Sequence, residues 1–293
     1  MQVLNFGSLN IDYVYTVPHF AAPGETLGAL DYQVNAGGKG LNQSVALARA
    51  GVKTFHAGMI GKEGAFLKEV LESSGADTRF VEVGEVPTGH AVIQVEHTSG
   101  ENSIVLFPGA NHSISKAFMQ EVLRSMPQGS WLLLQNEIND IPFLMEEGKK
   151  CNLKVAFTPA PCTAAVRSYP LHLCDLIFVN ETEAAQLTGR EGEIPFMAAA
   201  MAELCPAGEI IITLGSKGAF YRCGSEEFFV PSCPAEAVDT TGAGDTFTGY
   251  FLAARLRGME PLQAMECASK ASALTVSRPG AASSIPAAEE VFK

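Results

Sequence analysis

Residues 239–245 read Asp-Thr-Thr-Gly-Ala-Gly-Asp and open an amphipathic stretch. Two glycines let a backbone approach a ligand closely. A helix beginning there points free N–H groups and its positive dipole end at that ligand, and an anion is the natural guest. Gly242, Ala243 and Gly244 then form an anion cradle, and Asp245 places a carboxylate inside it. For a purely structural role this is a poor choice, because the carboxylate repels the guest. For a general base that removes a proton beside a phosphoryl group in transfer, it makes sense. The plainer reading is a glycine turn whose Asp stabilises a helix N-terminus.

A second cluster, Asn-Ala-Gly-Gly-Lys-Gly-Leu-Asn-Gln at 35–43, sets Lys39 between glycines with little to shield its ammonium. The alternative is a flexible turn capping the helix that follows. Asn42 falls one turn into that helix, where Asn has only modest propensity. Asn10 and Asp12 come just after the first strand-like run. Side chains at i and i+2 of an extended chain point the same way, so an amide and a carboxylate can meet one ligand. A carboxylate accepts from two hydroxyls at once, which suits a diol. An Asx turn ending the strand is the competing reading. Glu137 follows the apolar run 131–135. Asn180-Glu181-Thr182-Glu183 follows the run 176–179, and Asn180 or Thr182 can equally be an N-cap with acids in the first turn. Thr213-Leu214-Gly215-Ser216-Lys217-Gly218 closes the run 210–212, at the kind of strand end where α/β sheets bind ligands. No G-x-x-x-x-G-K-S/T and no G-x-G-x-x-G sequence occurs, which argues against a P-loop enzyme and a dinucleotide site. The six histidines make no i,i+4 pair, which argues against a zinc enzyme.

These segments, with Gly-Ser-Leu-Asn-Ile-Asp at 7–12, resemble the ribokinase family of carbohydrate kinases in order and spacing over essentially the whole chain. The resemblance implies a three-layer α/β/α ribokinase-like fold with a mostly parallel central sheet and a small β-sheet lid. It implies an ATP-dependent sugar kinase acting on the 5-hydroxyl of ribose, with fructose, a related furanose or a nucleoside as the alternative substrate. Asp245 would be the catalytic base, and Gly242, Ala243 and Gly244 the anion hole. Asn10, Asp12, Gly38, Lys39, Asn42 and Glu137 would hold the sugar. Asn180 would reach the ATP phosphates, residues 213–218 would line the ATP site, and Ser269 would lie on its adenine side. Glu183 would serve the water shell of Mg²⁺. Asp239 and the backbone of Thr241, Thr275, Arg278 and Gly280, with Ser284, would hold a monovalent cation, K⁺; oxygen ligands suit such a hard ion. Pro279 and Ala282–Ser283 depart in detail from the family pattern there.

Positioning these residues requires a sheet. Apolar runs at 3–6, 54–60, 131–135, 155–158, 176–179 and 210–213 lack polar alternation, as strands covered on both faces do. Helical patterns at 39–50, 65–73, 141–150, 181–188, 195–204, 243–257 and 261–276 separate or follow them, which implies a mostly parallel sheet with helices on both sides. Segments 12–35 and 88–108 alternate like strands without helices between them. They suit a small separate sheet, which the resemblance makes a lid over the sugar. Val92, Val95, Ile104 and Leu106 would give that sheet a spare apolar face for a second copy, making a homodimer.

The 293 residues, 47% hydrophobic and 18% charged, are ample for one large α/β domain over 1–293 without long disordered tails, and no linker divides them. A net charge of −12 argues against nucleic acid or an anionic membrane as partner, though not against a nucleotide held by local N–H groups and cations. No apolar run approaches the ~20 residues that span a bilayer. Seven cysteines without a Cys-x-x-Cys pair, and a start that is not an export signal, read as reduced thiols of a cytoplasmic protein.

Overall fold

The structure is a computed structural model that describes residues 1–292. The chain begins with strands β1 (Gln2–Phe6), β2 (Asn10–Val17) and β3 (Asp31–Gly37), then helix α1 (Lys39–Arg49). There follow β4 (Lys53–Ile60), α2 (Ala65–Ser73), β5 (Asp77–Val83), β6 (Gly89–Glu96), β7 (Asn102–Phe107) and α3 (Lys116–Ser125). Strands and helices then alternate through β8 (Trp131–Gln135), α4 (Ile141–Lys150), β9 (Lys154–Thr158), β10 (Leu176–Asn180), α5 (Glu181–Thr188), α6 (Ile194–Leu204) and β11 (Glu209–Thr213). A hairpin of β12 (Gly218–Cys223) and β13 (Glu226–Pro231) precedes α7 (Ala243–Leu256), α8 (Pro261–Val276) and the short α9 (Ala288–Val291).

The main sheet has the order β13-β12-β11-β10-β9-β8-β1-β4-β5. All pairings from β11 to β5 are parallel, and only β12 and β13 run against their neighbours. Successive side chains of a strand point to opposite faces, and both faces here are apolar. Val3, Leu133, Phe178 and Ile211 pack with Val45, Phe251 and Ala268 of α1, α7 and α8. Leu4, Leu132, Leu134, Ile210 and Ile212 pack with Val122, Leu144 and Met201 of α3, α4 and α6. Two cores on one sheet make three layers. Strand order reverses at β1, with β4 on one side and β8 on the other. That switch opens a crevice beyond the carboxyl ends of β1 and β8. No helix among the described residues is long and apolar enough to cross a membrane.

The second sheet has the order β3-β2-β6-β7. Here β2 runs antiparallel to β3 and parallel to β6, and β6 runs antiparallel to β7. Asn10 and Asp12 lie inside β2, opposite Gly37 and Asn35, so the strand geometry and not an Asx turn sets their shared direction. The register corrects the single spare face expected from Val92, Val95, Ile104 and Leu106. Asp12 pairs with Ala91, which pairs with Leu106, and Ile93 pairs with Ile104. Two-residue periodicity therefore puts Leu106, Ile104 and Val95 on the same face as Asp12, and Val92 alone on the other. Reading each segment without its partner strand misses this, because alternation fixes parity within a strand but not between strands.

Candidate active site

The glycine turn behaves as its composition requires. Gly242 caps α7 at φ 77°, a left-handed conformation open to glycine at little cost, and no side chain caps the helix. Its first-turn amides therefore lack the usual partner. A Cβ added to Gly244 would meet nothing within 4 Å. Packing within the chain does not demand glycine there, whereas a ligand approaching the backbone does.

Asp245 sits in the first turn of α7 and faces α1. Its Oδ2 accepts from Asn42 Nδ2 at 3.0 Å, and its Oδ1 from Gln43 Nε2 at 2.9 Å. Loss of hydration pushes its carboxyl up to about 6, against the pull of the Lys39 ammonium and these two amides. Gln43 is held in turn by Gln135 Nε2 at 2.6 Å, and Gln135 by Asn5 Oδ1 at 3.0 Å. Asn5 Nδ2 donates to Gly40 O at 2.7 Å. A backbone carbonyl only accepts, so Gly40 O fixes which way each amide of this buried chain points. Asn42 Oδ1 is buried and has no partner among the described residues, an orphan acceptor beside Asp245. Buried acceptors are rarely left unpaired, so a ligand hydroxyl suits this one.

Asp12 approaches from β2. A Cβ on Gly37 would lie 2.0 Å from its Oδ2, so only glycine admits it. Burial and the neighbouring Glu137 push the Asp12 carboxyl up to about 6, against the opposing effect of Lys39. Glu137, just past β8, accepts from Ser8 Oγ at 2.5 Å and from Lys39 N at 2.9 Å, and pairs with Lys39 Nζ at 3.4 Å. Burial opposes the Lys39 charge, but Glu137 and Asp245 outweigh it and hold the ammonium above its usual range. Asn10 and Glu137 line a cavity of about 440 Å³ with Leu106, Asn111 and Tyr169. Lys39 and Asp245 line a neighbouring cavity of about 250 Å³ with Thr158, Asn180, Glu183, Thr213, Thr240, Gly242, Ala243, Gly244 and Thr248. The Lys39–Glu137 ion pair joins the two cavities, one lined by hydroxyl-reading groups and the other by the anion cradle.

Asn180 and Glu183 form the helix cap that the sequence allowed. Asn180 Oδ1 accepts from Glu183 N at 2.8 Å, and Glu183 Oε2 accepts from Asn180 N at 2.9 Å. This capping box opens α5. Asn180 Nδ2 and Glu183 Oε1 remain for a ligand in the cavity both residues line. Burial raises the Glu183 carboxyl, opposed by the Asn180 amide and Lys39. Thr213 lines the cavity, whereas Leu214–Gly218 do not; Gly215–Lys217 form a short 3-10 turn there. Ser269 lies apart from that lining, with its hydroxyl taken by Cys233 N at 2.9 Å.

Asp239 ties two loops together. Its Oδ1 accepts from Thr241 N at 2.9 Å and its Oδ2 from Gly280 N at 3.0 Å. Burial works against its charge, but these bonds hold its carboxyl below the usual range. No group of three His, Cys, Asp or Glu side chains able to hold a metal occurs among the described residues. A cation beside Asp239 would rest on backbone oxygens such as those of Thr275, Arg278 and Gly280. Ser8, Gln43 and Asn111 were missed in the sequence. Gln43 and Ser8 lie within the segments 35–43 and 7–12, whereas Asn111 gave no local signal.

A family model described as pfkB family carbohydrate kinase matches residues 2–288. A ribokinase of Haemophilus influenzae is 37% identical over 98% of this chain and 96% of its own length. Among solved structures, a ribokinase of Thermotoga maritima superposes with a TM-score of 0.88 at 35% identity, covering 99% of this chain and 98% of its own. An Arabidopsis thaliana ribokinase complexed with ribose and ATP gives a TM-score of 0.88 at 30% identity, covering 99% and 97%.

Proposed function

The chain belongs to the pfkB family of carbohydrate kinases, and from that premise we propose that it moves the terminal phosphoryl group of ATP to the 5-hydroxyl of D-ribose. The observation that carries the reading is that Asp245, on a helix N-terminus without a side-chain cap, shares Lys39 and Glu137 as charged neighbours with Asp12. In it, Asn10, Asp12, Gly38, Asn42 and Glu137 hold the sugar, and Asp245 takes the hydroxyl proton as the oxygen attacks phosphorus. The amides at 242–245 meet the charge on the transferring group without rearranging, and Lys39 adds a cation. Asn180 and Thr213 face the nucleotide. Release of ADP with a panel of ribose, 2-deoxyribose, fructose and adenosine tests this. Ribose should lead, and a clear nucleoside preference would reject it.

Glu183 Oε1, in the phosphate cavity, fits the water shell of a Mg²⁺ ion, which would neutralise phosphate charge when bound. Asp239, with the backbone of Thr241, Thr275, Arg278 and Gly280 and with Ser284, offers hard oxygens to K⁺. Asp239 already links the start of the glycine turn to the 275–284 loop, so a cation there would stiffen the anion cradle. Activity in tetramethylammonium buffer should rise several-fold on adding K⁺ at fixed Mg²⁺. A flat response removes the cation from the mechanism.

The whole chain, 1–293, acts in this reading as one cytoplasmic catalytic domain with lid segments 12–35 and 88–108, and as a homodimer through the lid. Both faces carry exposed aliphatics, Ile104 (56%) and Leu106 (48%) on the Asp12 face, Val105 (68%) and Val34 (45%) on the other. The opposite face has its aromatics partly matched to each other, as in Tyr15–Tyr32 at 4.9 Å and His90–Phe107 at 5.1 Å. A thin sheet cannot hide such a surface alone, and two-fold pairing is the commonest solution. Leu106 also lines the cavity that holds Asn10 and Glu137, which favours the Asp12 face as the seam. Sedimentation should give a dimer; Ile104→Glu should split it and weaken sugar binding together, and Val92→Glu should leave it intact. A single species near the 31.1 kDa chain mass rejects the dimer.

A further inference from the structure

Asn10 lies at the sugar end of the cleft, and its amide can present either a donor or an acceptor to a ligand. Its orientation follows from a neighbour. Asn111 is 1% exposed and follows β7 in the sequence. Its Oδ1 accepts from Leu9 N at 2.9 Å. A backbone N–H only donates, so this bond identifies the oxygen of the Asn111 amide without ambiguity. Its Nδ2 then faces Leu9 O at 3.3 Å and Asn10 Oδ1 at 2.7 Å. With Asn10 Oδ1 taken, Asn10 Nδ2 is the atom left to the cavity. The backbone of Asn111 continues the link, since its carbonyl accepts from Asn139 N at 3.2 Å, two residues beyond Glu137. One buried amide thus joins the segments that carry Asn10 and Glu137.

We propose that Asn111 is a positioning residue that makes Asn10 a hydrogen-bond donor to an oxygen of the sugar, so that the site reads one acceptor at Asn10 beside the hydroxyl protons accepted by Asp12. The inference rests on the reading of Asn10 as a sugar contact. Asn111→Asp keeps an acceptor for Leu9 N but has no donor for Asn10, whose amide then turns its oxygen to the cavity. Sugar KM should rise about 10–100-fold, the scale of one lost buried hydrogen bond with its partner left unpaired. The KM for ATP should stay within about two-fold and kcat within a few-fold. In an Asn10→Ala background, Asn111→Asp should add almost nothing, because contacts acting through one group are not additive. Asn10→Asp covers the case in which Asn111→Asp does not fold. It keeps the bond from Asn111, leaves no donor to the cavity, and should raise sugar KM by a similar factor. Full additivity in the double variant overturns the proposal, as does normal sugar KM in Asn10→Asp when Asn10→Ala binds poorly. Normal sugar KM in Asn10→Ala itself overturns both the proposal and the sugar-site reading beneath it.

Discussion

Asp245→Asn is expected to lower turnover by about 10²–10⁴-fold or more while sugar and ATP still bind. The substitution keeps size and shape but removes the ability to take a proton at neutral pH. Binding should survive because, in the proposed reading, the sugar is held mainly by groups on β2 and α1 and by Glu137, and the phosphates by backbone amides. The same base sets a pH dependence. Burial raises the carboxyls of Asp245 and Asp12 to about 6 each. A base works ionised, so activity should be present above that pH and lost as pH falls through it. The Lys39 ammonium opposes the rise at both carboxyls, so the limb belongs to the pair of sites taken together. With two carboxyls titrating together, the acid limb of kcat/KM should be steeper than one proton. Turnover of Asp245→Asn within a few-fold of the parent protein would remove Asp245 from the chemistry.

The main layer was legible because its strands are short and apolar on both faces. Val3, Leu4 and Phe6 of β1, or Ile210–Ile212 of β11, leave little else for such runs to be. Helix α7 and its glycine start could be read for a related reason, since an uncapped N-terminus with an acid is a local pattern. The antiparallel pair β12 and β13 escaped notice because edge strands mix exposed polar residues with apolar ones, as in Glu226–Pro231. Contacts between distant residues were out of reach altogether. Gln43 touches Asp245 across 202 positions and Gln135 across 92. Nothing near Gln135 announces that its amide fixes the carboxylate of Asp245 through Gln43. The lid shows the same limit, since each strand gave its own alternation and only pairing showed that Ile104 shares a face with Asp12.

Asp12→Ala should cut kcat/KM for the sugar by an amount equivalent to about 2–5 kcal/mol, or roughly 30- to several-thousand-fold, because hydroxyls bound against a carboxylate are left unpaired. Gly37, lacking a side chain, admits the Asp12 carboxylate to within 2.0 Å of where a Cβ would stand. Glycine at that point leaves room for this carboxylate. Asp12 lies beside the Lys39–Glu137 ion pair. Removing it lowers the negative charge but leaves the Lys39–Glu137 pair intact, so Asp245 and the anion cradle should keep their geometry. Hydrolysis of ATP without sugar, which needs that cradle but not the diol contact, should change much less than sugar phosphorylation. The acid limb of kcat/KM should also become shallower, since one of the two carboxyls near 6 is gone. Equal loss of both activities, with a lowered melting temperature, would instead mean that Asp12 supports the fold of the lid, and its role as a sugar contact would have to be given up.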